Sequence, residues 1–82
     1  MSNGLPIHVG DEIAGHRVVR VETWAQLGRR MLSISGVPIE GLSRRETVTV
    51  EMVGDSPDTA ERNACDSAAA HFRRLGEREA RV

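Results

Sequence analysis

The sequence contains no lysine and no tyrosine, and it has a single cysteine. All eleven basic residues are therefore arginine, which points to a GC-rich, bacterial or viral source. One cysteine, Cys65, excludes an intrachain disulfide and fits a reducing compartment, so a cytoplasmic location is expected. Aromatic residues are almost absent: Trp24 and Phe72 are the only two. The core must then be aliphatic, and there is little material for an enclosed ligand pocket. No apolar run approaches the roughly 20 residues that span a bilayer. The first residues, Met1 to Pro6, carry neither a basic region nor an apolar stretch, so they do not read as a signal peptide. A strong charge bias is also missing. The formal net charge is -1, which argues against a dedicated nucleic-acid binder.

What remains is a chain of 82 residues that is 39% hydrophobic. That length predicts a single domain over residues 1–82, and self-association would be one way to bury more surface. The N-terminal stretch 1–10 reads as an arm or edge strand, with Leu5, Ile7 and Val9 alternating around Pro6. Strands are expected within 16–53. His16 to Trp24 is β-branched and compact, with Val19, Val21 and Thr23 assigned to the core face. Val18, Arg20, Glu22 and Trp24 then share the opposite, mixed face. Residues 25–30 fit either a short helix or a hairpin connection at Gln26-Leu27-Gly28-Arg29, and the hairpin is preferred because Gly28 weakens a helix. Met31 to Ser35 forms the next strand, and Gly36 to Gly41 bends the chain away from it. Glu46 to Val53 alternates strictly, with Val48, Val50 and Met52 on one side.

Ser56 then caps a helix that Pro57 begins. Ala60, Ala64, Cys65, Ala68, Ala69, Phe72 and Leu75 fall within one half of its circumference. Gly76 is the expected stop, and residues 77–82 the expected frayed tail. The fold class that follows is α+β: a three- to four-stranded antiparallel sheet with one C-terminal helix packed on one face.

Two stretches resemble known families. Met31 to Ser43 resembles the strand and turn of PDZ domains, but no carboxylate-binding loop precedes it, and a strand follows where their second helix would lie. Residues 46–75 resemble the closing strand and helix of double-stranded RNA-binding domains. Those domains start the helix with basic residues, whereas Asp55, Asp58 and Glu61 stand here. Neither family is assigned.

The residues that carry chemistry are sparse. His8, His16, His71 and Cys65 show no metal-ligand spacing, so neither a metal site nor a cofactor is expected. The carboxylates are dispersed, and no catalytic group stands out. Arg29-Arg30, Arg44-Arg45 and Arg73-Arg74 form three basic pairs; solvation is their plainer reading, and a grip on phosphate or on an acidic partner the sharper one. The expectation is a small non-enzymatic interaction module, a homodimer of accessory or inhibitory type from a phage or mobile element. It would bind a larger protein or nucleoprotein complex through Trp24, Val18, Arg20, Arg29, Arg30, Arg44 and Arg45. Nucleic-acid binding through the paired arginines, and a small enzyme or enzyme subunit, are the alternatives.

Overall fold

The computed structural model describes residues 5–39 and 44–80. It shows an α+β fold: a curled antiparallel sheet of four strands and one C-terminal helix. The elements are β1 (Glu12–Ile13), β2 (His16–Gln26), β3 (Arg29–Pro38), β4 (Glu46–Glu51) and α1 (Pro57–Ala80). Strand order follows chain order, β1-β2-β3-β4, so the sheet is a meander. The bend expected over Glu40 and Gly41, the start of the arm and the last two residues of the tail lie outside the described residues.

Two-residue turns join the first three strands. Ala14-Gly15 has φ of 49° and 81°, and Leu27-Gly28 has 52° and 78°. Positive φ at both central positions marks the hairpin turn whose twist matches that of the flanking strands. Residues 23–32 are therefore hairpin rather than helix. Both strands of this hairpin outrun expectation: β2 runs on to Gln26, and β3 begins at Arg29 and continues through Gly36 and Val37 to Pro38. Proline is tolerated there for a geometric reason. Ile39 N–H donates to Gly15 C=O at 3.0 Å, so the nitrogen of Pro38 points the other way, where β4 pairs only as far as Gly36.

A bulge corrects the face assignment of β2. The register passes from Val18↔Gly36 to Arg20↔Ser35, leaving Val19 as the extra residue. Strict alternation assigned Val19 to the core and Val18 to the mixed face. Instead Val18 is fully buried and Val19 is 36% exposed. Beyond the bulge the phase is restored, and Val21 and Thr23 oppose Ile34 and Leu32 on the inner side.

The inner face is covered by α1 and by the N-terminal arm. Leu32, Ile34, Val48, Val50 and Met52 form one cluster with Ala60, Ala64, Cys65, Ala68 and Phe72. Ala69 and Leu75 sit half-buried at its margin. The small alanines let the helix lie close, and Phe72 fills the space that Gly36 leaves. A Cβ on Gly36 would stand 3.3 Å from Phe72 Cε1 and 3.1 Å from His16 Cβ. Leu5 and Ile7 are buried in the same cluster, although residues 5–10 form no strand. Gly10 N–H donates to Val18 C=O and Val18 N–H to Asp11 C=O, both at 2.8 Å, which moors the arm beside the bulge.

The helix begins as its sequence dictates. Thr59 N–H donates to Ser56 Oγ at 3.2 Å, and Pro57 occupies the first position, where a missing N–H costs nothing. It does not stop at Gly76. Glycine inside a helix costs only about 1 kcal/mol, and the residues that follow, Glu77 to Ala80, are good helix formers.

Candidate interaction surface

One face of the sheet carries α1, and the described residues leave the other uncovered. On the uncovered face lie Arg20, Glu22 and Trp24 of β2, Ser35, Ser33 and Met31 of β3, and Thr47, Thr49 and Glu51 of β4, set side by side by the register. Central Ser33 and Ser35 are small and already buried by their neighbours, and Ser35 Oγ lies 3.0 Å from Thr47 Oγ1. Arg20 is joined to Glu22 at 2.6 Å along β2. Trp24 pairs across the ladder with Met31 and remains 39% exposed. At the end of the same hairpin, Leu27 is 92% exposed. A tryptophan, a methionine and a leucine thus follow one another toward the tip of a two-stranded arm whose residues 22–30 are all exposed.

The residues expected to serve a partner do not form one patch. Trp24 and Arg20 share the open face. Val18 offers no surface at all, because the bulge has turned it into the core. Arg29 follows Trp24 and Met31 on the open face, opposite Gln26. Arg30 turns the other way: its guanidinium is 3.6 Å from Glu61 of α1, and its carbonyl accepts a 2.8 Å bond from Met52 N–H. Arg44 and Arg45 precede β4, whose first residue opposes Gly36, so they stand at the far end of the sheet from the Leu27 turn. Arg44 there lies 4.0 Å from Glu46.

The titratable groups are scattered in the same way. Among the described residues no three histidine, cysteine or acidic side chains come together as a metal site. His8 Nδ1 is 3.9 Å from Asp11 Oδ2 near the arm. His16 is buried against Phe72, with ring centroids 4.8 Å apart and Nδ1 3.0 Å from Ala14 C=O. Cys65 is buried, and burial first, then Asp66 and Glu61, push its thiol above the usual range, which favours the thiol over the nucleophilic thiolate. A shallow groove of about 510 Å³ runs between β4 and the C-terminal half of α1, lined by residues 46–49, His71, Arg74 and Leu75. No helix of the described residues is long and apolar enough to cross a membrane.

Compared with known proteins, the chain matches no family model, no curated protein and no solved structure. The surface must therefore be judged on its own chemistry.

Proposed function

We propose that this chain is a non-catalytic protein-interaction module. It acts as a cytoplasmic homodimer of the accessory or inhibitory kind made by phages and bacterial mobile elements. It docks on a larger protein or nucleoprotein complex through the open sheet face and the tip of the β2–β3 hairpin. The observation that carries this reading is Trp24, partly exposed on an uncovered face between Arg20–Glu22 and Met31, with Arg29 and Leu27 beyond it. Tryptophan and arginine are the residues most enriched at interface hot spots, where a partner that covers them gains apolar burial and charged hydrogen bonds together. A nucleic-acid grip by the paired arginines draws no support from their placement. Arg29 and Arg30 face opposite sides of the hairpin, and Arg44 and Arg45 stand at the other end.

The test is capture from the native host with immobilised full-length chain, read by mass spectrometry, beside a Trp24→Ala variant. The expected result is a set of partners retained by the wild type and lost by the variant, with unchanged circular dichroism. Equal retention by a folded Trp24→Ala chain would reject the surface.

A further inference from the structure

Among the described residues the last strand of the meander, β4, has a neighbour on one side only. Which of its backbone groups are free follows from one bond. Met52 N–H donates to Arg30 C=O, in register with the pairs Leu32↔Val50 and Ile34↔Val48. Bonded pairs alternate along an antiparallel ladder, so Glu46, Val48 and Val50 spend their backbone groups on β3. Thr47, Thr49 and Glu51 aim theirs at the open edge. Helix α1 does not seal that edge, since the groove beside His71, Arg74 and Leu75 lies open along it. An edge with a row of free donors and acceptors is a template for another strand.

The charges at this edge identify the strand. Arg45 and Glu51 are exposed, and neither has an ion-pair partner among the described residues, whereas Arg44 lies by Glu46 and Arg30 by Glu61. Residues 45, 47, 49 and 51 fall on one face by alternation. We propose that two copies of the chain pair β4 against β4, antiparallel about a twofold axis at Val48. In that register Arg45 of each copy faces Glu51 of the other, and Thr47 faces Thr49. Only outward-aimed groups meet, giving about eight hydrogen bonds, two for each bonded pair. The result is one continuous eight-stranded sheet with an isologous interface.

The competing registers are poorer. A slip of one residue sets free groups against groups already used on β3, and it places Glu46 opposite Glu51. A slip of two leaves Glu51 facing Thr47 and Arg45 facing Val53. An acidic or basic peptide of another protein would complement one end of the edge, but a second copy complements both.

This inference deepens the homodimer part of the function proposed above and is independent of the Trp24 face. The first measurement is sedimentation equilibrium of the full chain, with wild type expected to be a dimer at micromolar concentration. Arg45→Glu and Glu51→Arg each create two like-charge pairs, so either should weaken the dimer by about tenfold, and the double variant should restore it to within about threefold. In a mixed-isotope sample, an intermolecular Overhauser contact should join the two Val48 Hα atoms; this reads the register without any variant. A wild-type monomer would overturn the proposal. So would a dimer indifferent to both single variants, or one without the Val48 contact. Trp24→Ala should dimerise as the wild type does; loss of the dimer in that variant alone would move the interface to the open face. Loss of partner capture with the dimer intact by Overhauser contact tests the Trp24 reading separately.

Discussion

Cys65 shows how a single buried side chain can be read in isolation. With no lysine and no tyrosine, the sequence has few groups that titrate between about pH 8 and pH 11. The Cys65 thiol is raised from an ordinary value of 9.0 by burial and by neighbouring Asp66 and Glu61. In the unfolded chain it ionises at the lower pH. Its contribution to stability is therefore full below pH 9 and is lost as pH climbs from there toward the folded value. Urea midpoints taken from pH 8 to 10.5 should fall more steeply for wild type than for Cys65→Ala, and equal slopes would contradict the assignment. The native thiol should also react slowly with an aromatic disulfide reagent and quickly once unfolded. Gly36 makes a comparable argument from space. A methyl group there meets His16 Cβ at 3.1 Å and Phe72 Cε1 at 3.3 Å, so both side chains must give by a few tenths of an ångström. Gly36→Ala should cost about 1–3 kcal/mol by chemical denaturation, the usual range for overpacking a tight core.

Among the elements, the hairpin turns are where the sequence serves its backbone least well. Leu27 holds φ at 52° with its side chain almost wholly in water, so it gains no burial there to offset the left-handed conformation. Asparagine adopts that conformation with less penalty, and Asn-Gly is the preferred pair for this turn. Leu27→Asn should therefore stabilise the fold by roughly 0.5–1 kcal/mol, seen as a raised melting temperature. If Leu27 also reaches a partner, the same variant should bind it less well. The helix start and β4 were legible because they follow simple rules: Ser56-Pro57 for the cap, and Val48, Val50 and Met52 for the alternation. The phase of β2 was not legible. A bulge depends on where the arm bonds to Val18 and on how β2 registers with β3, and neither is written in the local pattern. One consequence is that a candidate contact, Val18, belongs to the core. The pairs of arginines read as a group in sequence, yet a strand turns adjacent side chains to opposite faces, so Arg29 and Arg30 part company. The open edge of β4 could be recognised only once its place at the end of the meander was known.

At the scale of the whole molecule, the decisive fact is how little there is to spare. An 82-residue chain has a total stability on the order of 4–12 kcal/mol, at about 0.05–0.15 kcal/mol per residue. Its hydrophobic core holds one phenylalanine and several alanines, so each large aliphatic side chain carries a large share. Leu5 and Ile7 are two of these, at 4% and 5% exposure, although the described part of their arm, residues 5–10, has no regular structure. The arm is thus a lid on the sheet. Its hold is the burial of two side chains together with the bonds from Gly10 N–H to Val18 and from Val18 N–H to Asp11. Replacing either side chain with alanine removes buried methyl groups and leaves a cavity, at about 2–4 kcal/mol each. The pair together should exhaust most of the stability, and removal of residues 1–8 should do the same. Circular dichroism with urea titration is the measurement. Leu5→Ala and Ile7→Ala should each lower the midpoint substantially, and the double variant should be largely unfolded at 37 °C. A chain lacking residues 1–8 that kept a wild-type midpoint would mean that the strands and helix bury enough without the arm. The residue count makes that hard to reconcile with so small a core.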